Sequence, residues 1–314
     1  MKDISIYFEK VSTALCEGVL NAVKLENIHS ESGFPEIDTK GIAIIYVPEF
    51  RNSNGFSSGG ANDSFRSSFY ELFQGDNWSD PIYDLGTIIP GESINDTYFA
   101  VEQVVAELVK VDVIPIVIGG GQDLTLACYK GFAALERTIN ISTIDSRLDV
   151  GDPSESVNSK GYVSQLLMQR PCYLFNYSNI GLQRPLESKE SISLFSKLYF
   201  DICRLGNLED FWDHILSLEK QKSGNSIFLR NRISFDAPLL VWFKEYFDQV
   251  FVHLPQAAWP ADLDTELWSY IRQGRQNSPS HRALFNSVSQ DLPVFSQFNI
   301  GVFGSILSNK RIET

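Results

Sequence analysis

Val113-Ile114-Pro115-Ile116-Val117-Ile118-Gly119-Gly120-Gly121-Gln122-Asp123 is the stretch that decides the fold. Its first six residues form an apolar run with no polar face, which suits a strand buried on both sides, as in a parallel sheet. Three glycines follow and permit a tight turn with close backbone approach. A helical pattern then begins near Asp123 and covers 123–135. A strand that passes through a glycine turn into a helix is half of a βαβ unit.

The same alternation extends in both directions. Strand patterns occur at Gly41 to Val47, Ile82 to Leu85, Ile141 to Ile144, Tyr173 to Phe175 with Ile180 to Leu182, Ile227 to Leu229, Val250 to Leu254 and Asn299 to Phe303. Helical patterns lie between most of them, over 61–74, 93–110, 157–168, 187–204, 207–219, 235–247 and 262–274. Strands alternating with helices imply right-handed crossovers. The expected fold class is α/β: a three-layer, doubly wound, mostly parallel sheet of about eight strands. No repeat or long linker divides the chain, so 1–314 reads as a single domain. Ile4, Tyr7, Phe8, Val11, Leu15 and Val19 recur every three or four residues, which predicts an amphipathic helix within 1–25 packed on that domain.

Composition narrows the partners. The formal charge is −13 and Lys and Arg form no block, so no basic face is available for nucleic acid or an anionic membrane. Cys16, Cys128, Cys172 and Cys203 are far apart and form no CxxC pair, as expected of reduced thiols in a cytoplasmic protein. Lys2, Asp3, Glu9, Lys10 and Glu17 interrupt any apolar leader. No run reaches the ~18 apolar residues of a membrane span.

Two strand ends carry the candidate chemistry. The glycine loop is neither GxGxxG nor a P-loop, although free N–H groups at a helix start can hold an anion. The strand Ile141 to Ile144 ends in Asp145-Ser146-Arg147-Leu148-Asp149. Two carboxylates crowded into a dry site require a cation, either a metal or a guanidinium. The loop Pro48 to Gly60, rich in Gly, Ser and Asn, follows the first long strand and would reach the same carboxyl edge, where open α/β sheets bind ligands.

At these motifs the chain resembles the ureohydrolase superfamily: arginase, agmatinase and, most closely, formimidoylglutamase. Val47-Pro48 through Arg51, Gly59-Gly60, Phe65-Arg66 and Tyr83-Asp84-Leu85-Gly86 are similar to the family's early segments. Gly119 to Asp123 stands for the family's Gly-Gly-Asp-His-Ser, and Asp145 to Asp149 for Asp-Ala-His-x-Asp. Asn179-Ile180-Gly181-Leu182-Gln183 is similar to a later strand, and Tyr199 to Gly206 to the formimidoylglutamase helix after it. The resemblance implies an arginase-type fold, a dinuclear manganese site and hydrolysis of a linear amidine by a metal-bridging hydroxide.

The ligand positions depart from that pattern. Gln122 replaces a metal-binding His, and Arg147, always charged, replaces another. A guanidinium about 4 Å from a divalent ion is repelled by roughly 8 kcal/mol at an effective dielectric of about 20. Two later family aspartates have two possible placements. In Ser234-Phe235-Asp236-Ala237-Pro238 one survives; in Val250 to Pro255, which includes His253, neither does. Lys160 stands near the family's substrate loop, whereas His29, His214 and His281 read as ordinary surface or packed histidines. Trp242, Tyr246 and Phe247 are spaced for core packing, with an exposed protein-binding patch as the other reading.

The expected pocket therefore comprises Gln122, Asp123, Asp145, Arg147, Asp149 and His253, with Arg147 filling the metals' space and pairing with both aspartates. No metal is expected. The function read from this is a non-catalytic binding or scaffold protein for a protein partner or a small amidine-like ligand, and a homo-oligomer is possible. The alternative is an active amidino-hydrolase that binds manganese through Asp145 and Asp149.

Overall fold

The computed structural model describes residues 2–53, 66, 69–71, 80–118, 120–145, 147–182 and 186–204, together with the backbone of 225–230 and 249–252. Among these residues nine strands form one sheet: β1 (Phe8–Glu9), β2 (Gly41–Tyr46), β3 (Ile82–Ile88), β4 (Val113–Ile118), β5 (Ile139–Ile144), β6 (Leu174–Leu182), β7 (Asp201–Arg204), β8 (Asn225–Arg230) and β9 (Gln249–Val252). Their order is β1-β3-β2-β4-β9-β8-β5-β6-β7. All neighbours are parallel except β1, which runs antiparallel to β3. The helices are α1 (Thr13–Cys16), α2 (Ile94–Lys110), α3 (Leu124–Ala133), α4 (Tyr162–Met168) and α5 (Lys189–Lys197). Helix α2 follows β3, and α3, α4 and α5 follow β4, β5 and β6, so the expected α/β class holds.

The apolar runs become the sheet's centre. Every residue of β2 and β3 is buried. Pro115 is tolerated in β4 because β9 joins β4 only from Ile116 onward, after the residue that lacks an N–H. Helix α2 starts at a capping box: Ser93 accepts from the Asp96 backbone N–H, and Asp96 accepts from that of Ser93. It buries Val101, Val104, Val105 and Leu108, the spacing of one helical face. Gly131 lets α3 close onto α2, since a Cβ there would stand 2.8 Å from Val105 Cβ. Among the described residues no helix is long and apolar enough to cross a membrane.

The N-terminus corrects the sequence reading. Instead of one amphipathic helix, residues 5–16 form a 3-10 turn (Ser5–Tyr7), then β1, then the single turn α1. Ile4, Phe8 and Val11 are buried as the spacing requires, but Val19 is 58% exposed. Phe8 and Glu9 pair with Ile88 and Thr87, covering a sheet edge that would otherwise present open backbone groups. That gain outweighs continuing a helix. Two further differences are local. Strand β6 is continuous where two short runs were expected. The 187–204 pattern stops at Lys197, and Asp201–Arg204 pairs with β6 as an edge strand. The patterns at 207–219, 235–247, 262–274 and Asn299 to Phe303, the aromatic cluster after Trp242, and most of 61–74 lie outside the described residues.

Candidate functional site

Register brings the motifs together. Ile118 of β4 pairs with Val252 of β9, Val252 with Arg230 of β8, Arg230 with Ile144 of β5, and Ile144 with Ile180 of β6. Five adjacent strands therefore reach the carboxyl edge at one level. The glycine loop leaves β4 there and Asp145 leaves β5. Both proposed placements of the later aspartates also follow this edge in sequence, one after β8 and one within and after β9. His253, Asp236 and their neighbours lie outside the described residues.

The glycine loop is fixed by its surroundings. Gly120 has φ +75°, and a Cβ there would stand 2.1 Å from Leu124 Cδ1. The Gly121 N–H donates to the Glu49 carbonyl at 2.8 Å. The backbone N–H groups of Leu124, Thr125 and Leu126 donate to the carbonyls of Gly121, Gln122 and Asp123, so the helix start does not present them to an anion. Asp123 is fully buried and accepts from Tyr98 Oη at 2.5 Å and Ser159 Oγ at 2.7 Å. Burial raises its carboxyl above the ordinary range despite those two bonds. Asn52 Nδ2 donates to Tyr98 Oη at 3.1 Å. Asp123 thus ties the loop after β2, the loop before α4 and helix α2 to one point.

Gln122 is buried, and its Nε2 donates to Tyr162 Oη at 3.4 Å. Tyr162 Oη lies 2.6 Å from Tyr177 Oη. Burial first, then the charge of Asp149 and, less, that of Asp145, pushes the Tyr162 phenol up; burial and Tyr162 do the same to Tyr177, with smaller contributions from Asp149 and Asp145. Gln122 Oε1 meets no hydrogen-bond partner among the described residues.

The Asp145-to-Asp149 loop is held mainly through its backbone. Asp145 is buried, and its Oδ1 accepts from the Arg147 N–H at 3.0 Å. Asn179 Nδ2 donates to the Arg147 carbonyl at 2.7 Å, and the Leu148 N–H donates to Glu187 Oε2 at 2.8 Å. Asp149 is buried with φ +47°. Among the described residues no ion pair joins the Arg147 side chain to Asp145 or Asp149. Asp145 captures a backbone N–H two residues on, a local bond that orders no long side chain. Lys160 is exposed and His29 is buried against β3, away from this edge.

Other residues here were not singled out in the sequence. Glu49 is buried against Arg51, with Arg51 Nη2 donating to Glu49 Oε2 at 2.6 Å and Nε to Oε1 at 3.0 Å. Burial pushes Glu49 up, but the Arg51 bonds outweigh it and hold the carboxyl below its ordinary value. Tyr162, Tyr177 and Thr143 belong here too, as does Asn179, which the sequence marked only as the start of a strand segment. The available signal was a polar residue inside an apolar strand pattern, as at Thr143 and Asn179. Among the described residues no group of three or more His, Cys, Asp or Glu is placed to hold a metal ion.

Residues 60–210 match the model of the arginase family. No curated protein matches the sequence. Solved structures do. A formimidoylglutamase from Bacillus subtilis has 16% identity and a TM-score of 0.61, covering 78% of this chain and 90% of that one. A Trypanosoma cruzi formiminoglutamase with Mn2+ has 16% identity and a TM-score of 0.59, covering 84% and 93%. A T. brucei arginase-like protein has 12% identity and a TM-score of 0.51, covering 77% and 89%. The class is an arginase-type α/β fold whose central region carries arginase-family sequence. The resemblance to the ureohydrolases, with formimidoylglutamases among the fold neighbours, rests on both findings.

Proposed function

We propose that this chain is a non-catalytic ureohydrolase-fold protein that binds a protein partner or a small amidine-like ligand at the carboxyl edge of its sheet. The observation that carries the reading is Gln122. It stands where the family places a metal-binding imidazole, and its amide is engaged with the Tyr162–Tyr177 hydroxyl pair. A neutral amide oxygen is a weak ligand, and Arg147, at the second imidazole position, cannot coordinate a cation at all. A dinuclear manganese centre does not fit this donor set. Four widely spaced cysteines with no CxxC pair support a cytoplasmic setting.

One observation favours a second reading. Asp145 and Asp149 are both kept and both buried. With Gln122 and His253 they would be the donors of an altered, single-metal amidino-hydrolase. Elemental analysis of the purified chain and its Tm in millimolar manganese separate the two, because a metal that binds only the native state raises Tm. The expected result is no stoichiometric manganese and an unchanged Tm. Bound manganese with release of formamide, ammonia or urea from a linear amidine would overturn the proposal.

A further inference from the structure

We propose that residues 7–11 are a latch on the edge of β3, closed over a neutral His29 and lifted by acid while the rest of the sheet stays folded. Strand β3 ends the parallel part of the sheet. Two separate pieces of the N-terminal segment cover its outer edge: Phe8 and Glu9 pair with Ile88 and Thr87, and Ile28 bridges to Asp84. His29 is the joint between the pieces. Its backbone N–H donates to the Asp84 carbonyl at 2.8 Å, and its own carbonyl accepts from the Val11 N–H at 2.8 Å. Its ring Nδ1 lies 3.1 Å from the Leu85 carbonyl. Gly86 makes room for this arrangement: at φ +94° it has no Cβ to run into the Glu9 carbonyl. The Ile89 N–H closes the latch by donating to the Tyr7 carbonyl at 2.9 Å.

Acid acts on the latch through one atom. A carbonyl only accepts, so Nδ1 carries the ring hydrogen and Nε2 is the nitrogen that takes up a proton. His29 is 6% exposed, and the Phe34 ring stands edge-on to it with centroids 5.0 Å apart. Phe34 in turn packs on Phe8 of the latch at 5.7 Å. An imidazolium in that setting loses hydration that it regains once the latch lifts. The charged groups facing the ring are Lys10 on the latch, Glu31 on its own segment and Asp84 on β3. Arg66 pairs with Asp84, and Lys10 pairs with Glu31 at 2.8 Å. Burial prevails and holds the ring below its ordinary 6.5; the Leu85 carbonyl opposes, Lys10 adds to the depression, and Asp84 and Glu31 oppose more weakly. The latch is weak enough to yield alone. Of residues 7–11 only Phe8 and Val11 are buried, and segments with few buried apolar contacts open first.

The test is hydrogen exchange of the full chain, read by mass spectrometry from about pH 8 to about pH 5 and corrected for the intrinsic rate at each pH. A depressed native pKa means that the latch is fully held above pH 6.5 and is released as pH falls through the native value. Protection of the Val11 and Ile89 amides should therefore fall several-fold in acid while that of β4 and α2 holds. Lys10→Met should move the fall to higher pH, and Glu31→Gln to lower pH. Both variants break the same ion pair, so opposite movement identifies the charge on the ring as the cause. His29→Gln should remove the fall. Should that variant not fold, the Lys10 and Glu31 variants, both altered at exposed positions, decide the matter. Three results would each overturn the proposal: no fall at Val11 and Ile89, an equal fall in β4, or the same direction of movement in both charge variants.

Discussion

Arg66 and Asp84 show what one residue pair can do in this sheet. They are 1% and 0% exposed, and Arg66 Nε and Nη2 donate to the two Asp84 oxygens at 2.8 and 3.1 Å. Tyr70 Oη donates to the same carboxylate at 2.8 Å, and the Gly86 N–H at 2.9 Å. The pair costs desolvation to form, but removing one member strands a buried charge. Arg66→Met should therefore destabilise the fold by about 3–5 kcal/mol in urea unfolding, and Arg66→Met with Asp84→Asn by clearly less. Phe65-Arg66 and Tyr83-Asp84 were both legible as separate motifs. Their meeting was not, because 18 positions separate the two charges. Gln122 is the opposite case. Its place after the glycine turn was readable directly, whereas its partner Tyr162, and Tyr177 beyond it, came from elements with no shared pattern.

At the scale of elements, the N-terminal strap (residues 5–16) covers one sheet edge and the turn after β4 shapes the glycine loop. His29 links the strap to the sheet: its carbonyl accepts from Val11 at 2.8 Å and its N–H donates to Asp84 at 2.8 Å. Its ring Nδ1 lies 3.1 Å from the Leu85 carbonyl and its edge meets Phe34. Burial holds the imidazole below its ordinary 6.5, against the pull of the Leu85 carbonyl; Lys10 lowers it further, and Asp84 and Glu31 oppose. A depressed native pKa means the stability is fully present above pH 6.5 and is lost as pH falls through the native value. Urea unfolding should show this acid loss, and His29→Gln should flatten it; an unchanged pH profile in that variant would remove His29 as the cause. The turn after β4 is testable through Gly120. Its positive φ and the nearby Leu124 side chain and Glu49 carbonyl leave no room for Cβ. Gly120→Ala should lower stability by about 1–3 kcal/mol in the same assay. Glycines in that turn were readable as a need for backbone freedom. The strap was not readable as a strap, because apolar residues every three or four positions fit a helix and a buried edge segment equally well. The ending of α5 before β7 was likewise hidden, since edge pairing with β6 is a long-range gain.

Across the whole molecule, the carboxyl edge is where sequence and structure divide. Unbroken apolar runs such as Gly41–Tyr46 and Val113–Ile118 announced strands buried on both faces, and the strand–helix alternation announced a doubly wound sheet. Those properties are local: side-chain burial demand and period are written residue by residue, so the chain alone determined the class of fold and which strand ends carry polar motifs. The sheet order is not local. Placing β8 and β9 between β4 and β5 requires that distant strands find each other, and only then do Gln122, Thr143, Asp145, Asp149 and Asn179 share an edge. The bond from the Arg147 N–H to Asp145 belongs to the three-dimensional fold, because a short bond to a nearby N–H forms only where the loop is held in shape. The loops fix that outcome through contacts from Asn179 and Glu187, which lie more than 30 residues along the chain.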